Sequence, residues 1–164
     1  MTAGRGGVAG LVGPNMNSRD GVRLGVDVGS VRVGVAISDP YGILATPVST
    51  VARDIGGGAD LAEIAALVTE RGVVEVVVGL PRTLKGTDGA AVAAARLFGD
   101  ALADRIAPVP LVYADERLTT VTAHRRLAER GVRSKDRRAV VDQVAAVQIL
   151  QSRLDALAGQ AGAR

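Results

Sequence analysis

The sequence predicts an α/β fold: one mixed five-stranded sheet with helices on both faces. Three observations point there. Hydrophobic residues make up 48% of the chain and aromatics only 2%, so the core is Val, Leu, Ile and Ala, which suits a sheet covered by helices. Residues 22–51 hold short β-branched runs separated by tight turns. Beyond residue 58 the pattern changes to helical and strand periods in alternation. A chain of 164 residues is one domain, large enough for a sizeable core.

Residues 1–21 contain Gly4, Gly6, Gly7, Gly10, Gly13 and Pro14 without periodicity, and are expected to form a disordered tail. Residues 22–28 read as the first strand and 31–38 as the second, with Gly29 and Ser30 as a tight hairpin between them. Asp39-Pro40-Tyr41-Gly42 is a turn, which Asp39 most simply supports. Residues 43–51 form the third strand, where Pro47 points to an edge or a bulge. So far this is an antiparallel meander.

After Gly56-Gly57-Gly58, Asp60 opens a helix whose apolar side is Leu61, Ile64, Ala65, Leu67 and Val68, and Gly72 ends it. Residues 73–78 are the next strand, apolar enough to be parallel and buried, and broken by Gly79-Leu80-Pro81. A polar loop at 82–89 leads to an Ala-rich helix at 90–106. Residues 111–114 form the last strand, ending at Asp115 and Glu116. Thr119 or Thr120 can N-cap a helix that runs to Glu129. A basic loop follows. The last helix is expected to start near residues 138–141 and to run to about Leu157, leaving 159–164 as a flexible tail. Parallel strands joined by helices require right-handed crossovers, which sets the strand order 3-2-1-4-5 in a single domain at 22–158.

Composition excludes several function classes. The chain has no Cys, so disulfides, thiolate metal sites and thiol nucleophiles are ruled out. No apolar run reaches the ~18 residues of a membrane span, and the N-terminus lacks the apolar core of a secretory signal. The expectation is a cytoplasmic protein with no membrane partner. Net charge is +3, only mildly basic, but it is unevenly spread. Residues 125–138 carry seven basic side chains against two acids, so that segment is +5 and the remainder of the chain is −2. Such a patch is an anion-binding footprint or, more plainly, a solvated surface.

Acidic residues give the sharper signal. Asp27 lies between Val26 and Val28 in the first strand, where a carboxylate needs a hydrogen-bond donor, a base or a metal ion. Asp115 and Glu116 stand at the carboxyl end of the last strand, where ligands collect in such sheets. Asp142 falls in the expected first turn of the last helix, between Val141 and Val144. Singly, Asp142 reads as a helix-dipole acid and Glu116 as a cap or surface residue. Brought together, such carboxylates would repel one another unless a cation joined them. Mg²⁺ suits a few carboxylates together with waters and substrate phosphate. A pair of such ions can activate a water and stabilise the leaving oxygen of a phosphodiester, with the basic segment holding flanking phosphates.

Four stretches carry a resemblance: Gly25-Val26-Asp27-Val28-Gly29, Val78-Gly79-Leu80-Pro81, Asp115-Glu116-Arg117-Leu118-Thr119-Thr120, and Val141-Asp142-Gln143-Val144-Ala145-Ala146. In this order and spacing they resemble the YqgF/RuvX family of the ribonuclease H-like superfamily, related in fold to the resolvase RuvC. The resemblance covers roughly residues 22–158. It implies a ribonuclease H-like fold, with Asp27, Glu116 and Asp142 as the acids that bind a catalytic Mg²⁺ or Mn²⁺. It implies a bacterial cytoplasmic nuclease that processes the 5′ end of pre-16S rRNA or, in other accounts, cleaves Holliday junctions. A homodimer would suit a two-fold-symmetric junction. The glycine-rich N-terminus departs from the family pattern, as do Arg82 and Lys85 in a loop often less basic in relatives.

The remaining residues divide less sharply. On a strand, neighbours face opposite ways, so only one of Asp115 and Glu116 would face the site, and the resemblance favours Glu116. Thr119 and Thr120 suit phosphate contact and N-capping equally. Arg82 and Lys85, between Gly79 and Gly86–Gly89, suit a loop closing over the site or an ordinary exposed loop. Arg133, Lys135, Arg137 and Arg138 are the expected nucleic-acid contacts. His124, the only histidine, reads as a surface helix residue, and Arg117 suits either a local ion pair or substrate. Aromatics are too few for base stacking. Two other functions compete: a non-catalytic ribosome assembly factor, and an actin-like phosphotransferase suggested by the first hairpin. The latter needs a second lobe, and no G-x-x-x-x-G-K-[ST] loop is present.

Overall fold

The computed structural model describes residues 19–81, 89–116 and 135–163. Three strands come first: β1 (Arg23–Val28), β2 (Arg32–Ser38) and β3 (Ala45–Ala52). Then follow α1 (Ala59–Glu70), β4 (Glu75–Pro81), α2 (Ala90–Ile106), β5 (Leu111–Glu116) and α3 (Lys135–Gly162). The sheet order is β3-β2-β1-β4-β5, as the crossover rule requires. The β1–β2 and β2–β3 pairs are antiparallel, and β1–β4 and β4–β5 are parallel. The helix expected at 119–129, the basic loop up to 134 and the 82–88 loop lie outside the described residues. Arg82, Lys85, Thr119, Thr120, His124 and Arg133 lie there with them.

Strand alternation gives the sheet two different faces. Leu24, Val26, Val33, Val35, Val76 and Val78 pack under α1 and α2 through Ile64, Val68, Phe98, Leu102 and Ile106. On the other face Ala36, Ala45 and Val77 meet α3 through Ala146, Ile149, Leu150 and Leu154. The α3 side is built from smaller side chains, so this helix rides closer to the strands. Two glycines mark the approach. A Cβ on Gly25 would lie 2.7 Å from both the Ala146 carbonyl oxygen and the Leu150 Cβ, and one on Gly34 would collide with the Asp142 carbonyl.

Several element boundaries differ from the sequence expectation. Strand β4 does not break at Gly79-Leu80-Pro81: these residues pair in parallel with Ala114, Asp115 and Glu116 of a longer β5. A partner strand on that side supplies what local propensity withholds, and Pro81 is tolerated because it is the strand's last residue. Helix α3 begins at Lys135 rather than near 138–141, and runs to Gly162 rather than Leu157. Lys135, Arg137 and Arg138 therefore belong to a helix, which suits the good helix propensity of Lys and Arg. Edge strand β3 behaves as Pro47 suggested, with a register shift opposite it between Val35 and Ala36. Asp39 secures the β2–β3 turn by accepting from the N–H groups of Tyr41, Ile43 and Leu44 at 2.7–2.9 Å. Burial pushes its carboxyl up, but those N–H groups outweigh it and leave the pKa below the ordinary value.

Candidate active site

The site is built where β1 runs out under α3. Asp27 is the fifth residue of β1 and only 3% exposed. Its cross-strand partner on β2 is Gly34, and directly opposed residues share a face. Because Gly34 faces the backbone of Asp142, Asp27 also faces α3, at the level of Asp142. The same parity puts Gly25 against Ala146, one helical turn further on. Two of the acids singled out from the sequence thus belong to positions that flank one bare glycine.

Asp142 is not a first-turn acid. With α3 starting at Lys135, it lies about two turns in, beyond the reach of the helix-dipole effect. Its company explains it instead. Oδ2 of Asp142 accepts from Nε of Arg32 at 3.2 Å, with side chains 16% and 19% exposed respectively. Next along the helix, Gln143 donates through Nε2 to the Thr50 hydroxyl at 3.0 Å, and Thr50 is the β3 partner of Gly34. One row across the sheet (Asp27, Gly34, Thr50) therefore lies under two consecutive helix residues.

Glu116 is the last residue of β5, paired with Pro81. Val112 and Ala114 of the same strand pack on the α3 side. Asp115 is exposed and takes the parity of Tyr113, which packs with the α1–α2 side. Among the described residues, no three His, Cys, Asp or Glu side chains form a group able to hold a metal ion. Asp27 and the backbone of Asp142 lie on either side of Gly34.

A divalent cation fits what is there. The donors are carboxylate oxygens, as hard cations such as Mg²⁺ and Mn²⁺ require. A guanidinium already stands against Asp142, so the place accommodates positive charge. Lys135, Arg137 and Arg138 occupy the first turns of the same helix, on the N-terminal side of Asp142. Arg32 and Thr50 went unnoticed in the sequence, and Gln143 was noted only as part of a resembling stretch. A charge opening a hairpin strand reads as solvent-facing, and only the cross-sheet register reveals what it meets.

The turn beside the site has its own brace. Gly29 N–H donates to the Arg32 carbonyl at 2.8 Å. Arg53 reaches back from beyond β3 to donate to the Gly29 carbonyl at 2.9 Å. It pairs with Asp60 at 3.4 Å and lies over the Phe98 ring, 5.3 Å from its centroid. The β1–β2 turn is therefore held from the α1–α2 side.

Comparison with known proteins places these features in context. A family model described as "RuvX: Holliday junction resolvase" matches residues 21–156. A protein of Frankia casuarinae named "Putative pre-16S rRNA nuclease" is 63% identical over 140 residues, covering 85% of this chain and 69% of its own length. A protein of the same name from Mycolicibacterium paratuberculosis is 60% identical over 142 residues, covering 87% and 84%. Among solved structures, Thermus thermophilus RuvC in complex with a Holliday junction substrate matches with a TM-score of 0.50 at 16% identity, over 85% of this chain and 96% of that one. At that identity the likeness speaks for the fold, which is ribonuclease H-like.

Proposed function

The chain belongs to the RuvX family, described as Holliday junction resolvases, and from that premise we propose that it is a metal-dependent nuclease, a hydrolase acting on phosphodiester bonds of structured nucleic acid. One observation carries the reading: Asp27 and the backbone of Asp142 flank the same glycine, Gly34, at the carboxyl end of β1. Relatives 60–63% identical bear the name of a pre-16S rRNA nuclease, which makes the 5′ end of pre-16S rRNA the first substrate to test. The family description favours four-way DNA as the second.

Asp27, Glu116 and Asp142 would hold Mg²⁺ or Mn²⁺. When bound, the cation supplies activation of a water and neutralisation of charge building on the phosphate. The chain's own part is to fix its acids before substrate arrives. Asp27 is held by a buried strand, and Asp142 by a helix seated closely against Gly34. Lys135, Arg137 and Arg138, with Arg133 just before them, are placed along the chain to hold flanking phosphates. Arg82, Lys85, Thr119 and Thr120 would be further nucleic-acid contacts. The family match over residues 21–156 supports a nuclease domain at 22–158, and the tail expected at 159–164 is instead mostly helix, since α3 runs on to Gly162. Ribosomal RNA and chromosomal DNA as substrates imply a cytoplasmic setting, and among the described residues no helix is long and apolar enough to cross a membrane. With a four-way junction as substrate, a homodimer would present paired sites.

The deciding experiment is side-by-side cleavage of a labelled pre-rRNA leader, a four-way DNA junction and a linear duplex. Wild type, Asp27→Asn and Asp142→Asn are compared. Cleavage is expected to need Mg²⁺ or Mn²⁺ and to drop by roughly a thousandfold or more in either variant, while binding persists. Undiminished cleavage by Asp27→Asn would overturn the role given to that carboxylate. Binding without turnover on any substrate would leave a non-catalytic assembly factor.

A further inference from the structure

Arg32 has no part in the reading above, yet it stands inside the site. It opens β2 two residues before Gly34, so it shares the α3 face with Asp27. Its backbone closes the β1–β2 turn, at the carboxyl end of β1 where substrate must arrive. Its Nε–H donates to Oδ2 of Asp142 across 110 positions of sequence. Fastening α3 to the sheet does not by itself account for the pair. The neighbouring Gln143–Thr50 bond joins the same stretch of helix to β3, without bringing a charge into a mostly enclosed place.

We propose that Arg32 is a cation with two positions: in the metal-free protein it neutralises Asp142, and once a divalent ion takes that carboxylate it turns to hold a substrate phosphate. The inference rests on the metal-binding reading of Asp142. Two effects of Arg32 on metal affinity oppose each other. A group hydrogen-bonded to a metal ligand orients it, and losing such a group typically weakens binding by about 10–100-fold. A fixed positive charge beside the same ligand repels the incoming cation, and enclosure leaves that repulsion poorly screened. A neutral donor would only orient. A guanidinium also repels, in proportion to both charges, so repulsion dominates here. Displaced from Asp142, the guanidinium keeps the planar fork of donors that matches phosphate oxygens, and its short tether to the β1–β2 turn keeps it at the mouth of the site.

The test measures Mn²⁺ binding by electron paramagnetic resonance without nucleic acid, then KM and kcat for cleavage of the best substrate with Mn²⁺. Wild type, Arg32→Gln, Arg32→Lys and Asp142→Asn are compared. Arg32→Met is a second neutral variant that keeps the apolar stem, should the glutamine protein fold poorly. Expected for a neutral variant is Mn²⁺ affinity about tenfold higher and KM about tenfold higher, each a 1.4 kcal/mol change. Arg32→Lys keeps the charge and should hold Mn²⁺ within about threefold of wild type. A purely structural Arg32 would loosen α3 and weaken Mn²⁺ and substrate together, so the opposite signs are the signature. Unchanged or weaker Mn²⁺ binding by a folded neutral variant overturns the proposal, as does tighter Mn²⁺ binding with unchanged KM. Wild type that binds no Mn²⁺, or Asp142→Asn that binds it as well as wild type, instead overturns the metal reading beneath it.

Discussion

Gly34 is a residue whose missing side chain matters more than most side chains present. Asp27 lies beside it on β1 and the Asp142 carbonyl above it on α3. A methyl group there has nowhere to go, because the obstructing atoms are helix backbone rather than the end of a flexible side chain. Gly34→Ala should therefore cost about 3 kcal/mol, the upper end of the usual overpacking range, measured as a shift of the urea midpoint. Cleavage should fall further than the reduced stability explains, since α3 must lift at Asp142. Full stability with full activity would show that the helix does not ride on this glycine. At this scale the sequence was legible in part. Asp27 stood out because an acid between two valines in a strand has few ordinary explanations. Arg32 did not, because its partner lies 110 positions away and no local pattern marks a long-range ion pair.

Helix α3 is fastened to the sheet along most of its length. Asp142 and Gln143 bind β2 and β3 near the site. In the middle, the Gln151 side-chain amide donates to the Ile43 carbonyl and accepts from Ala45 N–H, both at 2.9 Å, pairing with backbone much as a strand would. Further on, Arg153 donates to both oxygens of Glu75 at 3.0 and 2.9 Å. Glu75 also takes Nε of Arg23 at 3.2 Å, and hydrogen bonding to Glu75 raises the Arg153 pKa above its ordinary value. Arg23 is 6% exposed and also donates to the Arg19 carbonyl at 2.7 Å, so deleting Glu75 takes a carboxylate away from a buried guanidinium. Glu75→Ala should lose about 3–5 kcal/mol by urea denaturation, and a loss under about 1 kcal/mol would mean that Arg23 finds solvent instead. The start of α3 was misread from sequence because its dense Lys and Arg suggested a loop. Charge density alone does not tell the first turn of a helix from a loop.

Over the whole molecule, the sheet order and both layers were legible, because chain connectivity and crossover handedness leave few arrangements open. The proposed binding surface was less so: its basic residues are a sequence fact, but which phosphates they would meet depends on substrate shape. Neutralising Arg133, Lys135, Arg137 and Arg138 together should reduce the salt dependence of nucleic-acid binding by roughly one unit of log–log slope for each phosphate that no longer has a cation against it. Filter binding across salt concentrations measures it, and an unchanged slope would move the surface elsewhere. The two faces of the sheet also carry unequal obligations. Under α1 and α2 the packing is Val, Ile, Leu and Phe, where swaps that conserve volume are tolerated. Under α3, glycines and ion pairs fix the helix height, and the same helix carries Asp142. Mutational drift in this lineage should therefore be lopsided: one half of the interior can wander in sequence while the other is held almost letter for letter.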